Sequence, residues 1–303
     1  MTDSSFHRPT PGGTAKLGDR TVSRIGYGAM QLERLAEASA ADRSTAIGLL
    51  RSAVEQGVNH FDTAAFYGAA ASNGLIREAL APYPDDLVIV TKVGASFHPT
   101  SRIVAAQKPD ELRAEVETNL ATLGVDRLDI VNLRRADIPP GLIAEGDQVV
   151  DLDSQLAEVM ALRDAGKIGA IGLSNITSQQ LLAALGAGIV CVQNAHSVLD
   201  RSSEAVLDAC RANDVAWAPY FPLGSAFARL PKVADNPVVI AVAEAMDATP
   251  AQVGLAWELA HYERTLIISG TADAAHLSEN LAAGDIRLDS ATMATLDAIA
   301  QPA

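Results

Sequence analysis

Short apolar runs alternate with amphipathic stretches along almost the whole chain. Thr14 to Ser23 alternates polar and apolar positions around Gly18-Asp19, which predicts a small hairpin. Apolar runs then fall at Val22 to Tyr27, Val58 to Phe61, Leu87 to Val90, Leu128 to Leu133, Ile168 to Leu173, Val190 to Gln193, Val215 to Tyr220 and Leu266 to Ile268. Between them, helical periodicity covers Ala41 to Gln56, Ser72 to Leu80, Pro109 to Leu123, Asp153 to Asp164, Ser178 to Leu185 and Ser202 to Ala212. Pro237 to Met246, Pro250 to His261, Ala274 to Ala282 and Ser290 to Ile299 follow. Gly57, Gly124 and Gly166 stand where helices should stop, and Pro82 closes another.

Eight buried strands separated by helices imply a parallel sheet, because a parallel crossover needs about a dozen or more residues. An open doubly wound sheet and a closed (β/α)8 TIM barrel are the two solutions. Eight units with no composition break favour the α/β barrel, with an N-terminal β-hairpin and extra C-terminal helices. Residues 1–303 read as a single domain, with 1–12 a loose N-terminal arm. Three longer loops, Ser96 to Lys108, Arg134 to Val149 and Leu223 to Asn236, all follow strands, on the face where barrel enzymes build their sites.

Polar residues gather at those same strand ends. Asp62, Lys92, Asn132 with Arg134, Ser174-Asn175, Gln193, Tyr220, and Ser269 with Thr271 each close an apolar run. Polar positions also mark where strands leave any core, but a charged head carried into a crowded mouth is costly unless it is used. Asp62, Tyr67 five positions on, and Lys92 suggest proton transfer. A nearby ammonium lowers the pKa of a phenol, and a carboxylate holds that ammonium charged.

Composition narrows the partners. The chain has 303 residues and a net charge of −14, which disfavours nucleic acid and anionic membrane surfaces. No apolar run approaches about 18 residues, so no membrane span is expected. Cys191 and Cys210 are the only cysteines, and no His or Cys pair has metal-ligand spacing; a cytoplasmic protein without a metal is expected. Oligomeric state is not legible beyond a monomer or weak homo-oligomer.

In order along the chain, seven segments resemble the aldo-keto reductase superfamily. They are Gly26-Tyr27-Gly28-Ala29-Met30, Phe61-Asp62-Thr63-Ala64 with Tyr67-Gly68, Thr91-Lys92-Val93-Gly94, Ile171-Gly172-Leu173-Ser174-Asn175, Gln193-Asn194, Tyr220-Phe221-Pro222-Leu223-Gly224, and Gly270-Thr271 with His276 and Glu279-Asn280. The resemblance implies reduction of a small-molecule carbonyl by NADP(H). It implies that Tyr67 donates the proton, assisted by Lys92 and Asp62. Ser174, Asn175 and Gln193 would clamp the nicotinamide carboxamide and Tyr220 would stack on its ring. Gly28, Ala29, Met30, Asp62, Pro222 and Leu223 would also line the cofactor, with Gly270, Thr271, His276, Glu279 and Asn280 at its adenine end.

Two departures stand out. The family usually carries a His at the end of strand four; here Arg134 takes that place, with Asn132 one pleat before it. A guanidinium exchanges no proton at neutral pH but offers several donors, for the carbonyl, for an anionic substrate group, or for an acid at the mouth. The Asn-Leu-Arg ending resembles a bacterial subgroup that includes pyridoxal reductases. At the adenine end, Gly270 and His276 replace the usual cations, leaving the Thr271 hydroxyl and the amides of the helix near Ala274 to meet a 2′-phosphate. Asp273 could cap that helix and would repel a phosphate it faced. Of the other histidines, His60 reads as core, His98 as a pocket-lining candidate and His196 as near the rim. The other function considered is an NADP(H)-binding sensor or regulatory barrel with little turnover.

Overall fold

The computed structural model describes residues 9–139, 141–224 and 231–301. The expected arm over residues 1–8 and the middle of the third long loop, residues 225–230, lie outside the described residues. Residues 9–12 are not loose: the main chain of Pro9 sits against Gly57, and that of Gly12 against Gly284.

The chain runs β1 (Thr14–Leu17), β2 (Arg20–Ser23), β3 (Tyr27–Gly28), α1 (Glu33–Ala38), α2 (Ala40–Glu55), β4 (His60–Asp62), α3 (Ala71–Leu80) and β5 (Val88–Val93). It continues β6 (Ala95–His98), β7 (Arg102–Ala105), α4 (Pro109–Leu123), β8 (Leu128–Arg134), α5 (Leu152–Asp164), β9 (Ile168–Ser174), α6 (Ser178–Ala184), β10 (Ile189–Gln193), α7 (Glu204–Ala212) and β11 (Ala216–Trp217). Four helices follow: α8 (Pro237–Ala245), α9 (Pro250–His261), α10 (Ala274–Ala282) and α11 (Ser290–Asp297). Local chemistry sets several ends. Pro109 opens α4 and left-handed Gly124 closes it, while Thr249 and Gln252 form a capping box on α9.

Among the described residues a seven-stranded parallel sheet runs β11-β10-β9-β8-β5-β4-β3. Its two edges meet the expected eighth run through parallel bridges, Ile25 with Ile267 and Trp217 with Thr265. The sheet therefore curls into an α/β barrel whose last strand is a pair of bridges rather than a full ladder. The hairpin of β1 and β2 packs Leu17 and Val22 against the inward residues Val88, Val90, Ile130, Cys191 and Leu266. Arg20, at its turn, reaches the carbonyls of Asp85 and Leu87 at the start of β5, so the hairpin plugs the N-terminal end of the barrel. Outward residues such as Phe61, Ile89 and Val131 join the helices in the main core.

Three expectations change. The run Val22 to Tyr27 is divided between the hairpin, the Ile25 bridge and β3, because the chain crosses from plug to barrel there. The run Val215 to Tyr220 keeps only β11 as ladder. Ser96 to Lys108 is not a plain loop: β6 and β7 form an antiparallel hairpin, tied to α1 by an Arg102–Glu33 ion pair of 3.0 Å.

Candidate active site

Strand alternation sends Phe61 outward and Asp62 into the barrel mouth, opposite Val90 on β5, while Lys92 pairs with Asn132 on β8. Lys92 Nζ forms an ion pair with Asp62 Oδ1 and donates to the Thr63 carbonyl at 3.3 Å. Gln193 Nε2 donates to the other carboxylate oxygen at 2.6 Å. Burial alone would depress the Lys92 ammonium, but the charge of Asp62 and the Tyr67 phenol outweigh it, so Lys92 is held above its usual range and stays charged.

Tyr67 lies in the turn after β4, buried, with its ring centre 5.1 Å from Lys92 Nζ. Burial pushes its hydroxyl above the ordinary tyrosine range; Lys92 and, more weakly, Arg134 pull it down, and Asp62 pushes it up. Lys92 lowers the phenol as expected, but desolvation of the buried hydroxyl exceeds the effect of an ammonium already paired with Asp62. Tyr67 is a protonated acid at neutral pH. Phe66 packs edge-on against it, and Met30, Phe97, Ile103 and Leu142 make an apolar wall around the pair. Phe97 and Ile103 come from the β6–β7 hairpin.

A buried amide network fixes this centre from behind. Thr63, next to Asp62, donates to Asn73 Oδ1 at 2.8 Å, and Thr91, next to Lys92, donates to Asn119 Oδ1 at 2.6 Å. Asn73 Nδ2 closes the chain onto Asn119 at 3.0 Å and Thr122 at 2.9 Å. The ends of β4 and β5 are thereby tied to α3 and α4. Sequence reasoning missed this network, because an asparagine in an amphipathic helix reads as a solvent-facing residue.

Across the mouth, Ser174 and Gln193 are partners in the β9–β10 ladder, and Asn175 N donates to the Gln193 carbonyl at 2.9 Å. Tyr220 donates to Asn175 Oδ1 at 2.9 Å, and Asn175 Nδ2 is engaged by the carbonyls of Arg135 and Ile138. Asn175 and Phe221 both hold positive φ, 59° each, a conformation Asn tolerates and Phe does not. Ser174 Oγ and Gln193 Oε1 are buried with no hydrogen-bond partner among the described residues. A donor-acceptor hydroxyl and an amide acceptor on laddered neighbours suit a planar carboxamide, so the residues fit the nicotinamide end of the cofactor.

Arg134 lies with its guanidinium carbon 5.7 Å from the Tyr220 ring centre and makes no ion pair with an acid among the described residues. The salt bridge considered for it is therefore not formed there. Its carbonyl is held by Gln107 Nε2 at 2.9 Å, and the same amide bonds the Gly94 carbonyl. Gln107 is in turn bonded by Gln155, which Arg135 contacts. Gln107 was invisible as a site residue because it sits in a loop outside every motif.

The remaining candidates are placed more locally. Gly28 and Gly270 lie back to back: a Cβ on Gly28 would meet the Ile268 carbonyl at 2.3 Å, and one on Gly270 the Gly28 carbonyl at 2.2 Å, so packing alone demands glycine at both. The Ala29 carbonyl accepts from Ser72 at 3.0 Å; Pro222 is buried, and Leu223 packs into the cores on either side. Thr271 Oγ1 accepts from Asp273 N at 3.0 Å. Asp273 does cap α10, taking Ala275 N at 2.7 Å and His276 N at 3.0 Å. The expectation of free amides at that helix start is corrected: Asp273 occupies two of them. His276 is exposed, the Glu279 carbonyl accepts from Gln252, and Asn280 is buried against Ser269. His60 is core, its ring filling the space beside Gly26, and burial pushes it down to about 4. His98 is exposed at the hairpin tip rather than lining the pocket. His196 is not at a rim but wholly buried, stacked on Trp257 and bonded to Glu258 at 3.0 Å. Among the described residues no group of three His, Cys, Asp or Glu could hold a metal ion, and no single helix is long and apolar enough to cross a membrane.

A buried acid–ammonium–phenol set at the C-terminal ends of the strands marks the chain as one of the α/β barrels that carry a site on this face. The comparisons specify which: the profile described as "Aldo/keto reductase family" matches residues 24–301, and the chain belongs to that family. It is 41% identical over 290 residues to the pyridoxine 4-dehydrogenase of Escherichia coli K12, covering 95% of this chain and 98% of that one. An uncharacterised oxidoreductase of Schizosaccharomyces pombe is 33% identical, covering 94% and 89%. An aldo-keto reductase from Klebsiella pneumoniae solved with NADPH superimposes with a TM-score of 0.74 at 26% identity, over 91% of this chain and 90% of that one.

Proposed function

We propose that the chain, acting as one domain, is an NADP(H)-dependent reductase of small aldehydes or ketones. The observation that carries this reading is a buried Tyr67 beside a charged Lys92 that is joined through Asp62 to Gln193, whose amide oxygen, like the Ser174 hydroxyl, is left open. When bound, the cofactor supplies a hydride to the carbonyl carbon. Tyr67 delivers its hydroxyl proton to the carbonyl oxygen as negative charge builds there, and Lys92 stabilises the phenolate left behind. Asp62 keeps Lys92 charged and aimed. Ser174 and Gln193 hold the carboxamide, Asn175 backs them through its main-chain bond to Gln193, and Tyr220 offers its ring to the nicotinamide face. The apolar wall of Phe97, Ile103 and Leu142 excludes water from the acceptor.

The substrate reading is pyridoxal, reduced at its aldehyde to pyridoxine. The 41% identical relative is named for the reverse reaction on the same pair. Arg134, free of acidic partners, suits an anionic oxygen on such a ring. The test is NADPH oxidation with an aldehyde panel that includes pyridoxal, run beside Tyr67→Phe. Reduction in the wild type with a loss of about 10²- to 10⁴-fold in the variant is expected. Equal inertness of both, with NADPH still bound tightly, would leave a sensor or regulatory barrel as the reading.

A further inference from the structure

A buried ion pair that proton transfer does not use stands on the backbone that carries Tyr220. His196 lies just past the end of β10, and Glu258 is on α9. Both side chains are wholly buried, and His196 Nδ1 lies 3.0 Å from each oxygen of the Glu258 carboxylate. The imidazole is stacked on Trp257 and meets Trp217 edge-on, with ring centres 5.4 and 5.7 Å away. Trp257 in turn donates to Asp297 of α11 at 2.9 Å. Burial alone would push the imidazole down. The Glu258 charge, helped by Glu204 at the start of α7 and Asp200 in the turn after β10, outweighs burial and favours imidazolium. His261 of α9, also against this ring, is pushed the other way, chiefly by its own burial.

Stability does not account for this pair. Each ion gives up its hydration, and an apolar pair of similar volume is often as stable or more so. What the pair supplies is a fixed direction, from a helix to a strand end. Past the ladder, Ala195 and Tyr220 form a parallel bridge. The amide of Tyr220 donates to the Asn194 carbonyl at 3.0 Å, and the amide of His196 donates to the Tyr220 carbonyl at 3.3 Å. That carbonyl belongs to the peptide leading into Phe221, whose φ of 59° persists only where its neighbours hold it. At the far end of the Tyr220 side chain, the hydroxyl is fixed on Asn175. The tilt of the ring is thus set from two sides, and one of them runs through His196.

We propose that His196 and Glu258 are positioning residues for the nicotinamide shelf: Glu258 anchors His196, and His196 holds the Tyr220 peptide so that the ring faces the cofactor. This rests on the NADP(H) reading above, in which Tyr220 meets the nicotinamide. Both residues act through Tyr220.

The experiment compares two ligands on wild type and Glu258→Gln: NADP+ and 2′-phosphoadenosine 5′-diphosphoribose, which lacks only the nicotinamide. Binding is read by calorimetry, because both tryptophans of the chain pack on the His196 ring and would change the protein fluorescence by themselves. Thermal melting is followed alongside. Wild type is expected to bind NADP+ more tightly than the fragment. Glu258→Gln should cut that preference about tenfold, the worth of a hydrogen bond to a buried charge, and leave fragment affinity unchanged. His196→Met with Glu258→Val removes both charges together. It should melt near the wild-type temperature and still show the reduced preference, and it serves if the single variant does not fold. An equal loss of affinity for both ligands, or the full wild-type preference in either variant, would overturn the proposal, since the pair would then act on stability alone. Wild-type protein that binds neither ligand, or both equally, would instead overturn the NADP(H) reading at the nicotinamide site.

Discussion

The ammonium of Lys92 lies 5.1 Å from the centre of the Tyr67 ring, and both residues are buried. Burial holds the phenol protonated well into the alkaline range, and Lys92 is the group that makes its anion tolerable. The raised pKa sets the sign of the pH dependence. Reduction consumes the protonated form, so kcat for reduction should stay level through neutral pH and fall only in alkaline solution, above about pH 10. Oxidation of the alcohol needs the phenolate and should rise over the same range. A reduction limb falling between pH 6 and 8 would show that another group donates.

Lys92→Met should cost twice. Asp62 would keep Gln193 but lose its only cation while still buried, and an uncompensated buried charge costs about 3–5 kcal/mol of stability by chemical denaturation. Activity should fall about 10²- to 10⁴-fold. The double change Lys92→Met with Asp62→Asn should recover most of the stability and none of the activity, which separates the two roles.

Arg134→Gln should raise KM for anionic carbonyl substrates about 10- to 100-fold and leave matched neutral ones unchanged. The pairing to measure is a formylbenzoate against its methyl ester. A uniform loss of kcat on both would mean that Arg134 polarises the carbonyl instead.

Asp273 caps α10 through the amides of Ala275 and His276, and those bonds hold its carboxyl below the usual carboxylate range, so it is charged. Asp273→Ser retains a capping oxygen and removes the charge. NADPH affinity should rise about 2- to 5-fold while NADH affinity stays constant, read by fluorescence titration. No change for either cofactor would place the 2′-phosphate away from this helix.

His60 gives a stability prediction. Burial depresses it from 6.5 to about 4, so its contribution is fully present above pH 6.5 and is lost as the pH falls through 4. That shift is worth about 3 kcal/mol. His60→Met should flatten the fall in Tm between pH 6.5 and 4 relative to wild type. An equal slope in both proteins would assign it to other groups.

Much of this site was legible from strand ends. Asp62, Lys92, Ser174 and Gln193 are polar residues closing apolar runs, and strand alternation is enough to turn them into the mouth. What escaped was whatever depends on three-dimensional neighbours. The β6–β7 hairpin was hidden because its strands pair only with each other and are half exposed, so they carry no continuous apolar run. Asn73 and Asn119 read like solvent-facing helix residues, since a sequence does not show which amide will find a buried threonine. The lowering of Tyr67 by Lys92 was legible, but the net rise was not, because the ammonium beside it was visible and the depth of its burial was not.

The barrel is closed by residues from opposite ends of the chain. Arg24 reaches the carbonyls of Leu259, Tyr262 and Thr265, up to 241 positions away, and Ile25 bridges Ile267. During synthesis, Asp62, Tyr67 and Lys92 leave the ribosome long before Thr265 to Asn280. The nascent protein thus possesses its acid before it can complete the vessel that holds a dinucleotide, and any chain ending short of Ile267 is left with an unsealed seam beside β3.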